Sequence, residues 1–361
     1  MSTVIDIHAL PDAYRRLAKH LDSLPAGFPP TDSGIELRIL ARLFTPGEAE
    51  AAAALKMVPE SAKSIAERLG QDEKMLESLL LEMSHKGLIF RSTRDGQHLF
   101  MAAQFMVGIW EYHVNSLDEA LIHDVNEYIP TLMNKNWVGT KTKQLRVIPV
   151  AKRLQGGAEV LAYDQAEAII RQQTAISVSP CICRREQAMI GKGCNKPVEA
   201  CFCFGGAAHF YKENGLGRMI SQDEALEILK TGIEAGLVLQ PGNSQKPSNI
   251  CMCCACCCQV LKNIKLMQRP GEAVHSSHVA RVDAENCTAC GLCAERCPME
   301  AITVADVAEV NPGRCIGCGV CLDACAFEAL QLEAKPEAER YVPPKNLVET
   351  YVRMVKERGE R

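Results

Sequence analysis

The first 180 residues of this 361-residue sequence contain no cysteine, and all 19 cysteines fall between Cys181 and Cys325. Aromatic residues are scarce, at 5%. No charge-free apolar run reaches the roughly 18 residues that a membrane-spanning helix needs, so no membrane association is expected. Met1 to Leu21 carries no apolar stretch behind a basic start, so no export signal is expected and the protein reads as cytoplasmic. An excess of one charge is missing too. Forty Lys and Arg against 44 Asp and Glu leave a net charge of −4, with no global pull toward nucleic acid or an anionic surface. Gly-x-Ser-x-Gly and His-Glu-x-x-His are absent, and the glycines between Phe204 and Gly217 have neither dinucleotide-binding nor Walker spacing, so no nucleotide site is inferred.

What the chain has instead is thiol. An odd number of cysteines without an export signal argues against a disulfide framework. A buried cysteine is ordinarily a small inert hydrophobe. That does not explain Cys251, Cys253, Cys254, Cys256, Cys257 and Cys258 within eight positions. Metal or cluster ligation in a reducing compartment does.

The length allows two or three domains, and the pattern along the chain predicts an α+β protein. Residues 1–115 read as helical with a small hairpin. Ser61 is placed to cap a helix through Ile65 and Leu69 that Gly70 stops. A second helix is expected from Asp72 to Lys86, with Leu76, Leu79, Leu80 and Met83 in one stripe. Strands Leu88–Arg91 and His98–Met101 then flank Asp95-Gly96, a hairpin signal. This order resembles a winged helix-turn-helix. Residues 116–175 read as a helical connector with an extended stretch, Gln144–Val150, that leads toward the cysteine-rich part, and contain the pair Gly156-Gly157. Residues 176–275 form a cysteine-rich domain expected to be mostly helical, with one helix over Gln222–Gly236 capped by Ser221. Residues 276–334 form a separate domain, and 335–361 a tail with a surface helix, Leu347–Glu357.

Cys287-x2-Cys290-x2-Cys293-x3-Cys297-Pro298 is repeated by Cys315-x2-Cys318-x2-Cys321-x3-Cys325. The surroundings repeat as well: Glu300-Ala301-Ile302 answers Glu328-Ala329-Leu330. The duplicated run resembles the two-cluster bacterial ferredoxins over about 50 residues. Two-residue spacings let one loop offer three thiolates to one cube. In that family the last cysteine of each run crosses to the other cluster. The resemblance therefore implies two [4Fe–4S] clusters, one held by Cys287, Cys290, Cys293 and Cys325, the other by Cys315, Cys318, Cys321 and Cys297. Gly291, Gly317 and Gly319 suit the loop conformations this wrapping needs. Ala326 departs from the family's proline after the fourth cysteine, which removes no ligand. Between Arg281 and Glu333 three arginines face nine acids, a net of −6, suited to a redox partner protein with a basic docking patch.

Eleven cysteines lie outside the repeat. Cys181, Cys183, Cys194 and Cys201 are assigned to one site, and a second set of four, Cys251, Cys253, Cys254 and Cys257, is drawn from 251–258. Thiolates at this density select iron–sulfur, zinc or Cu(I), so one or two further iron–sulfur clusters, or zinc, are expected. A reactive thiol pair near Arg184 and Arg185 is a third option. His275 and His278 are placed in a polar linker. With Phe204-Gly205-Gly206 and Gly215-Leu216-Gly217-Arg218, the segment resembles iron–sulfur proteins of anaerobes in which a cysteine-rich middle precedes a two-cluster ferredoxin domain.

The leading reading is an electron-transfer protein or redox subunit rather than a stand-alone catalyst. The alternatives are a redox-sensing transcription regulator and a cluster-dependent oxidoreductase with an open iron site. DNA binding calls for a basic stripe, but Ser61–Phe100 balances six bases against six acids. Nucleic acid is therefore not an expected partner, and a protein-docking role suits the N-terminal domain better.

Overall fold

The computed structural model describes residues 5–150 and 160–359; Gly156-Gly157 lies outside them. The chain divides into two compact units. One comprises residues up to Lys141, Gly206–Arg218 and the end from Met354; the other comprises Thr142–Gly205 and Met219–Arg353.

In the first unit, helices Asp12–Ser23, Ile35–Leu43 and Pro46–Ala53 precede strand β1 (Glu60–Ser61). Helices Ala62–Leu69 and Glu73–His85 and the hairpin β2 (Phe90–Arg94) and β3 (Gln97–Met101) follow. Local chemistry sets these boundaries. Ser61 Oγ accepts from the Ser64 N–H at 3.2 Å, and the Asp72 carboxylate from the Met75 N–H at 2.9 Å. The hairpin turns on Asp95 and Gly96 alone, both at positive φ (51° and 77°), as a two-residue primed turn requires. Its strands accordingly run closer to the turn than the sequence predicts. The small sheet has the order β1-β3-β2. Segment 206–218 belongs to this unit. Phe210 of the helix Gly206–Glu213 meets Phe90 at 4.8 Å and Tyr112 at 4.7 Å between ring centroids, and the buried Arg91 pairs with Glu213 at 2.9 Å.

The second unit corrects the expectation of a mostly helical cysteine-rich domain. Its centre is a five-stranded sheet of β4 (Ile176–Pro180), β5 (Glu199–Phe204), β6 (Arg218–Ile220), β7 (Val238–Pro241) and β8 (Asn249–Cys253), in the order β6-β4-β5-β8-β7. Cys201-Phe202-Cys203 and Cys251-Met252-Cys253 alternate with the period of a strand, sulfur to one face and apolar bulk to the other. Val178, Phe202, Phe204, Leu239, Ile250 and Met252 form a core with the helices Ala166–Arg171 and Gln222–Glu234. Ser221 Oγ caps the second of these, accepting from the Glu224 N–H at 3.1 Å. The stretch 144–150 is extended as expected and bridges to the sheet at Leu145↔Gly242 and Ile148↔Leu239.

The C-terminal part of this unit has two antiparallel pairs, β9 (His278–Val282) with β12 (Leu330–Ala334), and β10 (Ile302–Val304) with β11 (Ala308–Val310). Ala280, Cys293, Ile302, Cys321, Leu330 and Leu332 fill its core. Glu300 and Glu328, equivalent positions of the duplicated sequence, share a left-handed φ of 50° and 51°, so the duplication extends to the backbone. His278 sits in β9 and His275 stacks flat on Tyr341 at 3.7 Å, so neither belongs to a polar linker.

Candidate metal and cluster centres

The cysteines fall into four groups. In the C-terminal part, one concavity is lined by Cys287, Cys290, Cys293 and Cys325 together with Phe327 and Leu330. The fourth cysteine of the second run thus joins the first three of the first. On the other side, Cys297 has Cys315 as its thiol neighbour, and Cys321 faces Cys318, Cys315 and Cys297. Backbone N–H groups point at these sulfurs: Ala308 to Cys287 at 3.4 Å, Ala301 to Cys297 at 3.2 Å and Ala280 to Cys315 at 3.5 Å. Such donors favour a negatively charged sulfur. Burial works the other way for the free thiols, pushing Cys318 up to about 12 and raising Cys293, Cys297 and Cys321. These thiols would ionise on binding a metal, which would take the thiolate while the proton is released to solvent.

The match with known proteins falls on this part of the chain. Residues 280–326 match the family model of the 4Fe-4S dicluster domain. No curated protein and no solved structure matches the chain. The dicluster domain supports iron–sulfur binding, and the matched segment contains both cysteine runs and the β10–β11 pair, with β12 lying beyond its end.

Outside the dicluster domain the structure sorts the eleven cysteines differently from the sequence assignment. Cys194 does not join Cys181, Cys183 and Cys201. It gathers with Cys254, Cys256 and Cys257, all four sulfurs within 4.8 Å of one another. The Sγ–Sγ separations are 3.6 Å (Cys257–Cys194), 3.8 Å (Cys257–Cys256) and 3.9 Å (Cys194–Cys254). A tetrahedral ion bonded at ~2.3 Å sets its sulfurs ~3.8 Å apart. Among the described residues no other three His, Cys, Asp or Glu ligands gather so closely, the dicluster cysteines included. The Cys194 group is therefore sized for a single ion, not a cube. Neighbouring Cys256 and Cys257 share one centre because they lie in the turn after β8, where backbone direction changes between residues. Burial opposes ionisation of Cys194, yet the Lys196 N–H and the surrounding thiols draw it below the usual thiol range, while burial pushes Cys254 up to about 12.

Of the remaining seven cysteines, Cys201, Cys203, Cys251 and Cys253 lie on one face of the sheet, and Cys181, Cys183 and Cys258 on or at the start of the helices beside it. Cross-strand register builds a row Ser179, Cys201, Cys251, Gln240 and a second row Ser177, Cys203, Asn249. Cys181 and Cys258 stand at the starts of the helices Ile182–Met189 and Gln259–Lys265, and both contact the Cys183 thiol. Cys253 and Cys254 are adjacent in sequence but serve different groups, the first in the strand and the second beyond its end. Sequence reasoning missed Cys203, Cys256 and Cys258. For Cys203 the missed signal was the strand alternation that puts it beside Cys201.

Among the described residues no helix is long and apolar enough to cross a membrane.

Proposed function

We propose that this protein is an electron carrier or redox subunit whose dicluster domain holds two [4Fe–4S] clusters. One is ligated by Cys287, Cys290, Cys293 and Cys325, the other by Cys315, Cys318, Cys321 and Cys297. The observation that carries the reading is the crossing of each fourth cysteine to the opposite group, inside a segment that matches a 4Fe-4S dicluster domain. Clusters of this kind accept and return single electrons. The protein's own part is to shield them with Phe327, Leu330 and the domain core, and to tune them with the N–H groups of Ala280, Ala301 and Ala308.

The Cys194 group is assigned a structural zinc ion, since four closely spaced thiolates leave no open coordination position. The acidic dicluster domain docks a basic redox partner in the cytoplasm. The N-terminal unit, with the element order of a winged helix, serves protein docking. Glu73 and Glu82 are exposed on the helix that would otherwise enter a DNA groove, where a basic face is needed. The test is the chain purified without oxygen. About eight irons with matching sulfide in the dicluster domain, lost in a Cys290→Ser/Cys318→Ser variant, support the reading. Full iron retention by that variant refutes it.

A further inference from the structure

The seven-cysteine face holds a second problem of charge. Arg184, on the helix Ile182–Met189, is only 3% exposed. Its Nη2 donates to the Met252 carbonyl at 2.7 Å, while Nε and Nη1 have no hydrogen-bond partner among the described residues. No carboxylate pairs with it there. The charges that act on it are the sulfurs of Cys181, Cys254 and Cys253, with Cys254 close enough for a hydrogen bond to relieve it in part. A guanidinium stays protonated in proteins, and an unpaired buried charge costs several kcal/mol. Neutral thiols do not balance it; anionic sulfur does, from Cys254 of the Cys194 group on one side and from Cys181 and Cys253 of the ring on the other.

The thiols around it form a closed circuit. Cys183 is in hydrogen-bond contact with Cys181 and Cys258, Cys253 with Cys258 and Cys251, and Cys201 with Cys251 and Cys203. Cys201 and Cys181 complete the ring through space. Around its rim stand donors aimed at sulfur. Gln240 Nε2 lies 3.8 Å from Cys258 and Asn249 Nδ2 3.6 Å from Cys251. The Ser179 hydroxyl reaches Cys201, and the N–H groups of Leu261 and Val260 reach Cys258. Among the described residues no three of these seven sulfurs are as close together as the Cys194 group, so the ring is not gathered for one ion.

We propose that Cys181, Cys183, Cys201, Cys203, Cys251, Cys253 and Cys258 hold a polynuclear iron–sulfur centre larger than one cube, with Arg184 as its buried counter-cation. A single cube uses four thiolates; six in one ring, with Cys203 joined to it through Cys201, exceed it. Each ligand exchanges its S–H for an S–Fe bond and gives its proton to water. The proposal rests on the chain being an iron–sulfur protein, but its readout is separate: dicluster iron disappears with Cys290 and Cys318, ring iron with ring cysteines. Iron, sulfide and zinc are measured on the oxygen-free full chain, with Mössbauer spectra, for wild type, Cys183→Ser/Cys253→Ser/Cys258→Ser and Arg184→Gln. Wild type is expected to carry more than four irons beyond the dicluster's eight, since four would be a single cube and would overturn the proposal. The triple variant loses that excess and keeps the eight irons and the zinc. Arg184→Gln keeps every thiol, so it reads the centre even if the triple variant misfolds. It is expected to lose the excess iron or shift its reduction potential downward, with the dicluster signals unmoved. A wild type with no excess iron whose ring thiols are alkylated by iodoacetamide overturns the proposal. So does a folded triple variant that retains all its iron, or an Arg184→Gln chain whose excess iron and potential are unchanged.

Discussion

Replacing Cys194 by serine tests whether the Cys194 group binds one ion. Three of the six sulfur separations are 3.6, 3.8 and 3.9 Å, close to the edge of a zinc-centred tetrahedron. Dividing their mean by the edge-to-radius ratio of a tetrahedron gives a metal–sulfur bond of about 2.3 Å, the length expected for zinc thiolate. Zinc-edge X-ray absorption of the intact protein should therefore show four sulfurs near that distance and no light scatterer. Structural zinc contributes roughly 10–16 kcal/mol of apparent binding energy. One thiolate of four then carries about 2.5–4 kcal/mol, so Cys194→Ser should weaken zinc binding by about two to three orders of magnitude. Competition with a chromogenic chelator reads that affinity, and the variant's spectrum should show three sulfurs with one oxygen or nitrogen. Zinc held equally tightly by the variant, or a wild-type spectrum with fewer than four sulfurs, would refute the reasoning.

Two further predictions concern the dicluster loops and the N-terminal unit. At Gly317, with φ +67°, a Cβ would collide with the His278 carbonyl and Ser276 Oγ, whereas at Gly291, with φ +82°, nothing lies within 4 Å. Gly317→Ala should thus empty the Cys315 cluster and halve the dicluster iron, while Gly291→Ala should cost only about 1 kcal/mol of backbone strain and keep it; equal iron in both variants would count against this loop geometry. Burial lowers His113 and His20 below the usual imidazole range, against hydrogen bonds to Ile109 and Leu55 that act the other way. The unfolded chain then binds protons that the folded unit refuses. Stability should be level above about pH 7 and fall as pH drops below ~6.5, by at most about 1.4 kcal/mol per pH unit per histidine. Amide exchange in Glu119–Leu132 should show this dependence and lose most of it in His113→Gln/His20→Gln; an unchanged slope would remove the histidines as its cause.

Local rules read from the sequence located the elements whose ends are locally determined. The Ser61 and Ser221 caps and the Asp95-Gly96 turn are each satisfied within three residues and are where the sequence predicts them, while Asp72, expected as the first residue of its helix, caps it instead. The repeated cysteine runs were legible because each loop carries its spacing within itself. The middle sheet was not. Its strands are three to six residues long, and the residues that reveal their period are cysteines, whose chemistry hides their alternation. The grouping of those cysteines depends on register between strands far apart in sequence, such as Cys201 opposite Cys251. Cys194 gave no local sign of its destination, since its three partners lie some 60 residues further along.

Segment 206–218 leaves the chain between β5 and β6 yet counts with the first unit. The two units are therefore interleaved rather than threaded like beads, and no single cut of the polypeptide releases either one whole. A truncation starting at Thr142 would keep the helix Gly206–Glu213 but remove Phe90, Tyr112 and Arg91, leaving Phe210 (1% exposed in the intact chain) and Tyr211 facing water. The complementary fragment would expose the other half of the same aromatic contact. Gene shuffling can trade cassettes that start and finish once. It cannot readily trade these, so the cysteine-bearing unit and its N-terminal companion are bound to be inherited together.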